Sequence, residues 1–278
     1  MHTICPSLLK RSIHIVVVGC GGTGSTIASG LPYLHQSMLA TGHPGGLDVT
    51  LIDGDRISAT NCVRQPFSEG EIGLFKSVVL VRRLNLFWNL EWKAVPKHLD
   101  RSTGLPHPID FIIGCVDSRA ARAVINDLIG QRWTDVRYWL DIGNNAESGQ
   151  FVLGQPLNGR NRRKAQRLRT IAELFPEIVD PSLDGDSQPS CSAAEALDRQ
   201  HPFINQTIAN HALALLSRLF RCGSISYHGG FLSLSSGSSL GLRAEPDVWK
   251  RMIARDRKKL PPRIDSTIQG FRAELARS

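Results

Sequence analysis

The chain has 278 residues, of which 41% are hydrophobic and 21% charged, the balance of a soluble globular protein long enough to bury a full core. No apolar run reaches the ~20 residues of a membrane helix, and the opening MHTICPSLLKRS holds no stretch suited to a secretory signal, so a cytoplasmic protein without a membrane partner is expected. The formal charge of +8 sits mainly in 160–169 and 250–263. Neither stretch interleaves aromatics as a base-stacking surface does, although Trp249 and Phe271 flank the second, so nucleic acid is not the expected partner. Solvated helix faces are the ordinary reading of both stretches; an acidic partner or nucleic acid is the alternative.

Residues 13–25, IHIVVVGCGGTGS, form a β-branched run that empties into small residues and then a helix. Val16, Val17 and Val18 suit a strand buried on both faces, and Gly19, Gly21 and Gly24 fall on the GxGxxG spacing with Gly22 as an extra glycine. Without Cβ atoms such a turn is tight, lets a backbone approach a phosphate and packs the next helix closely. The helix opening near Gly22 aims its free N–H groups and positive dipole end at the anion. A nucleotide is therefore the expected ligand.

A second strand is expected over 48–53, ending on Asp53, and a helix over 69–88, with Ile72, Phe75, Val79, Leu80, Leu84 and Phe87 near one face. A short strand follows at 91–95, then the apolar strand 109–117 ending on Asp117 and the helix SRAARAVINDLIGQ. Strands are expected again at 136–143 and 148–154. This alternation predicts an α/β fold, a doubly wound and mainly parallel sheet whose ligand lies beyond the strands' carboxyl ends, where the glycine turn, Asp53 and Asp117 all fall. The pattern breaks over 155–200 into a basic, helix-like piece and a loop rich in Pro, Asp, Ser and Gly. An apolar helix is expected at 201–220, then an antiparallel hairpin or small meander, and a basic helical tail from residue 246.

The six cysteines, Cys5, Cys20, Cys62, Cys115, Cys191 and Cys222, contain no CxxC pair, so no structural zinc is expected. Cys20 and Cys115 read as small buried thiols.

A glycine-rich turn alone would fit a nicotinamide dehydrogenase with Asp53 on a ribose hydroxyl. The segment LIDGDRISATNCVRQ argues otherwise, because it gathers Asp53, Asp55, Asn61, Arg64 and Gln65, with Lys76 following on the next helix. A dinucleotide rarely needs clustered cations. A triphosphate losing pyrophosphate does, since charge moves onto the departing oxygens as the bond breaks. Asp117 is placed to hold Mg²⁺, a hard ion bound through one or two carboxylates and the phosphates themselves.

GCGGTGS, LIDGDRISATNCVRQ, GLFKS and GCVDSRAAR, in that order, resemble the adenylation domain of the ThiF, MoeB and HesA family, relatives of ubiquitin-activating enzymes. With PSCSAAEALDRQHPFIN included, the chain is most similar to the ThiF-family proteins of PRTRC operons. The resemblance implies a Rossmann-like ATP-binding adenylation domain over 1–245, with a crossover loop at about 180–200 and a separate basic tail over 246–278. It implies Asp53 on the ribose, Asn61, Arg64, Gln65 and Lys76 on the phosphates, Asp117 on Mg²⁺, and a homodimer. The implied reaction is ATP- and Mg²⁺-dependent adenylation of the C-terminal carboxylate of a ubiquitin-like, β-grasp protein or a peptide. The acyl group would then pass to Cys191 or to a conjugating-enzyme-like thiol. A structural thiol at Cys191, a catalytically silent nucleotide-binding scaffold and an NAD-dependent oxidoreductase are the alternatives. The family's two CxxC pairs are absent, and for its arginine sent into a partner's site only Arg11 offers itself here.

Overall fold

The structure is a computed structural model that describes residues 1–102, 104–164, 166–184 and 201–258, the side chains of 254–258 excepted. In chain order the strands are β1 (His2–Thr3), β2 (Ile13–Val18), β3 (Leu47–Ile52), β4 (Lys93–Val95), β5 (Phe111–Gly114), β6 (Tyr138–Asn144), β7 (Ser148–Gly154), β8 (Ser224–Ile225), β9 (Tyr227–Ser233) and β10 (Ser238–Arg243). The helices are α1 (Gly22–Ala40), α2 (Asn61–Arg64), α3 (Lys76–Trp88), α4 (Arg119–Gly130), α5 (Ile171–Leu174), α6 (Ile204–Cys222) and α7 (Pro246–Lys258).

Eight strands form one sheet in the order β10-β9-β7-β6-β5-β2-β3-β4. Strands β6, β5, β2, β3 and β4 run parallel, and β7, β9 and β10 extend the sheet antiparallel. Chain order steps outward from β2 to β4 on one side and from β5 to β6 on the other. Right-handed crossovers therefore put α1 and α3 on one face and α4 on the opposite face. Burial on both faces explains the continuous apolar runs: all of Phe111–Gly114 is buried, as are Val16, Val17 and Val18 in β2. Strands β1 and β8 form a separate antiparallel pair. Among the described residues no helix is long and apolar enough to cross a membrane.

Two local expectations fail for physical reasons. The helix expected over 69–88 begins only at Lys76, because Glu69–Glu71 closes as a 3-10 turn with a Ser68/Glu71 capping box, and Gly73 then takes φ +89°. Val79, Leu80 and Leu84 are buried as expected, but Ile72 and Phe87 are 47% and 79% exposed. Among its described residues the basic piece at 160–169 is turn and irregular backbone, with no helix. Arg167 is buried and forks onto Glu173, with Nη1–Oε2 at 2.7 Å and Nη2–Oε1 at 2.5 Å. Burial pushes the Glu173 carboxyl up, yet hydrogen bonds from Arg167, the Thr170 amide and Arg169 hold it at about 2.

The basic stretch from residue 250 begins inside α7, which docks on the sheet through buried Trp249. Its indole N–H donates to His228 Nε2 at 2.8 Å, and the other ring nitrogen, Nδ1, lies 2.7 Å from Leu153 O. Accepting at Nε2 and donating at Nδ1 requires the neutral ring. Burial lowers the His228 pKa to about 4. The unfolded imidazole therefore takes up a proton near pH 6.5 while the folded one does not, and stability should fall from pH 6.5 towards pH 4, by on the order of 3 kcal/mol from this ring. Denaturant unfolding across that range checks the fall. A nuclear magnetic resonance titration that finds His228 charged at pH 5.5 would refute the latch.

Candidate active site

Strand order reverses around β2, with β3 on one side and β5 on the other, so a crevice opens at their carboxyl ends. The glycine turn occupies it. Gly19 takes φ +91° and its N–H donates to Ile52 O at 2.9 Å. The start of α1 presses on this turn so closely that a Cβ on Gly24 would lie 1.9 Å from Gly19 O. Gly21, by contrast, would aim a Cβ into open space, with nothing within 4 Å. Gly19, Gly21 and Gly22 line the crevice; Gly24 does not, and its task is packing.

Asp53 follows β3 and is buried. Its Oδ2 accepts from Cys20 N–H at 2.5 Å and its Oδ1 from Asp55 N–H at 2.7 Å. Burial raises its pKa, and these two backbone donors oppose the rise. Asp53 O accepts from Ser77 Oγ at 2.9 Å and Asp55 O from Lys76 N–H at 3.0 Å, which tie the start of α3 to the end of β3. The Lys76 side chain is thereby carried into the crevice, with Nζ 2.9 Å from Asp55 Oδ2. His98 Nε2 stands 3.8 Å from the other oxygen, Asp55 Oδ1.

The short helix α2 presents Asn61, whose Oδ1 accepts from Ser58 N–H at 3.0 Å, together with Arg64 and then Gln65. Gln65 Oε1 is buried without a hydrogen-bond partner among the described residues. On the facing wall, Asp117 is exposed beyond β5, just before Ser118, whose Oγ accepts from Ala121 N–H at 3.2 Å and caps α4. Asp53, Asp55, Asn61, Arg64, Gln65, Lys76 and Asp117 all line one cleft of about 760 Å³. A second hollow, of about 590 Å³, lies between the C-terminal ends of α1 and α6 and holds none of these residues.

The cleft also contains residues that sequence reasoning did not single out. Arg122 lies along its floor with Nε 3.2 Å from Asp141 Oδ1, an ion pair buried on both sides. Thr23 Oγ1 stands 2.8 Å from Asn205 Oδ1 and 3.1 Å from Asn144 Oδ1, closing the end nearest α6. Asn144 ends a parallel strand, the signal that marked Asp53 and Asp117. His98 and Asn205 carry no local signal at all.

Cys191 lies outside the described residues, and so does most of the crossover loop. The chain enters that loop from Asp184, whose carboxylate accepts from Arg119 N–H and Ala120 N–H at 2.9 Å each and so caps α4 beside Asp117. It re-enters where His201 N–H donates to Ala146 O at 2.8 Å, after β6. Arg11 sits at the opposite end of the sheet. Its guanidinium grips Asp110 through Nη1 at 2.8 Å and Nη2 at 2.6 Å, so within the chain it serves a buried acid far from the cleft.

A model of the ThiF family matches residues 7–240. The crystal structure of PaaA is similar in fold, with a TM-score of 0.56 at 15% identity over 84% of this chain and 64% of that one. MccB of E. coli solved with ATP gives 0.54 at 18% identity over 85% and 64%, and MccB solved with AMPCPP and MccA gives 0.53 at 18% over 84% and 65%. The chain thus spans slightly less than two thirds of these proteins' length. No curated protein sequence matches it.

The two kinds of glycine separate by experiment. Gly24→Ala drives a methyl into Gly19 O and should cost at least ~3 kcal/mol or prevent folding. Gly21→Ala should leave the melting temperature unchanged and weaken ATP binding about tenfold, since its methyl points where a ligand would lie. Thermal melts and ATP titration calorimetry on both variants check this; equal losses of stability would contradict the division.

Proposed function

The chain belongs to the ThiF family, and from that premise we propose that it adenylates the C-terminal carboxylate of a ubiquitin-like, β-grasp protein or peptide, using ATP and Mg²⁺. The observation that carries this reading is the convergence of Arg64, Lys76, Asn61 and Gln65 with the glycine turn, Asp53 and Asp117 on one cleft. That MccB, similar in fold, was solved with ATP and with MccA agrees with it.

The donor set suits the reactants. The open space at Gly21 and the N-terminus of α1 make a cradle for phosphate oxygens, and Gln65 Oε1, unmet among the described residues, is an acceptor for a donor such as a ligand hydroxyl or a phosphate-bound water. Asp53, already held by two backbone N–H groups, would accept from the ribose hydroxyls. Asp117 would supply one hard oxygen to Mg²⁺. When bound there, the ion would offset phosphate charge.

A carboxylate oxygen attacks the α-phosphorus, forming an O–P bond as the α–β P–O bond breaks and pyrophosphate departs. The attacking group is ionised at neutral pH, so no side-chain base is required. Arg64 and Lys76 act where charge accumulates, on the departing pyrophosphate. A thiol, either Cys191 or that of a conjugating-enzyme-like partner, then attacks the acyl carbon. The C–S bond of a thioester forms as the acyl–O bond breaks, AMP departs and the thiol proton is released to solvent. A homodimer is the proposed working unit.

ATP–pyrophosphate exchange in the presence of the carboxylate protein tests the first step. Lys76→Ala and Arg64→Ala should each lower exchange about 100-fold to 1,000-fold, the scale of losing one preorganised donor to a developing anion. Cys191→Ala should keep exchange and lose a reducible covalent adduct with the acyl donor. Wild-type protein that binds ATP but exchanges no pyrophosphate would leave a nucleotide-binding scaffold as the reading.

A further inference from the structure

At the end of the sheet opposite the cleft, two turns are pinned together by buried asparagines. Asn158 and Asn161 are 1% and 0% exposed. Asn158 Nδ2 donates to Ile129 O at 3.2 Å and to Val136 O at 2.8 Å, while Asn161 Nδ2 donates to Val136 O at 3.2 Å and to Arg137 O at 3.1 Å. The asparagines also bond to each other, Asn161 N–H to Asn158 Oδ1 at 3.1 Å. Gly159 sits so close that a Cβ would lie 2.3 Å from Arg132 O. The turn after α4 and the turn after β7 are therefore one rigid platform.

Such a platform would ordinarily be expected to carry small polar residues. It carries Trp133 at 78% exposure and Leu157 at 61%. Around them Arg132, Arg162 and Arg163 are exposed, and none forms an ion pair among the described residues. Arg160, by contrast, pairs with Asp135 at 2.8 Å. Burial first, and then the neighbouring Arg137 and Arg160, push the Lys164 pKa down.

We propose that this platform is a docking surface for an acidic protein segment that carries an apolar side chain to cover Trp133 and Leu157. Tryptophan and arginine are the residues that dominate protein interfaces, and turns already locked by buried hydrogen bonds lose little entropy on binding. Charge complementarity selects an acidic partner. Nucleic acid fits less well, because a single indole makes no run of stacking faces and Leu157 offers neither phosphate nor base a contact. The seven residues of β6, at 3.3 Å each, set the surface about 20 Å from the cleft, so an occupant would leave nucleotide access open.

Fluorescence anisotropy with three labelled probes tests the surface: a peptide of repeating Glu-Glu-Leu, a poly-glutamate of equal charge, and a short duplex DNA. The wild-type chain should bind the leucine-containing peptide saturably and more tightly than either other probe. Trp133→Ala should weaken that peptide about tenfold and poly-glutamate hardly at all. The double variant Arg162→Glu, Arg163→Glu should weaken both by more than tenfold, while ATP binding and melting temperature stay at wild-type values. Tightest binding to DNA, indifference of the peptide to Trp133→Ala, or no saturable binding of the peptide would each overturn the proposal.

Discussion

The molecule depends on one close approach, between the carbonyl oxygen of Gly19 and the α-carbon of Gly24. There is no room for a methyl between them. Because the first turn of α1 rests on the end of β2, its unpaired N–H groups and dipole are delivered to the mouth of the sheet instead of to solvent. The same approach carries the N–H of Cys20 onto Asp53, so the phosphate turn and the acid at the end of β3 are positioned as a single unit. Asp53 and Asp55 then fix the start of α3 and the course of Lys76 through main-chain bonds. The site is built largely from backbone, with side chains added at its edges.

The parallel strands also divide the molecule into two ends of different character. At their carboxyl ends Asp53, Asp55 and Asp117 share the cleft with Arg64, Lys76 and Arg122, and Asp184 caps α4 nearby. At their amino ends a single buried acid, Asp110, receives the fork of Arg11, Arg137 at 3.3 Å and the His14 N–H at 3.1 Å. Beyond that cluster the surface is basic. Chemistry involving phosphate and chemistry involving a partner's acidic groups can thus proceed on one chain without competing for the same arginines.

Much of this was legible from sequence because the evidence lies in local pattern. β-branched runs ending in glycine or aspartate mark buried parallel strands whose ends meet, so Gly19, Asp53 and Asp117 were placed together without knowledge of the sheet order. The segment 69–88 misled because its apolar spacing continued through Gly73, and only the backbone shows that φ is positive there. The arginines of 160–169 resembled a helix face because composition does not reveal that Glu173 draws Arg167 inward. Asn205 and His98 reach the cleft from segments distant in sequence, and nothing beside them in the chain marks their destination.

Lys76 enters the cleft already neutralised by Asp55. Capturing a phosphate therefore exchanges one ion pair for another, and the affinity gained is the difference between the two, smaller than the strength of either alone. The same exchange favours departure. If Lys76 acts on the phosphates as proposed, Asp55 would be placed to reclaim the ammonium as pyrophosphate leaves, and the lysine would not be left charged and unpaired. On the proposed reaction, a cleft arranged in this way would trade tight retention of a nucleotide for ready turnover.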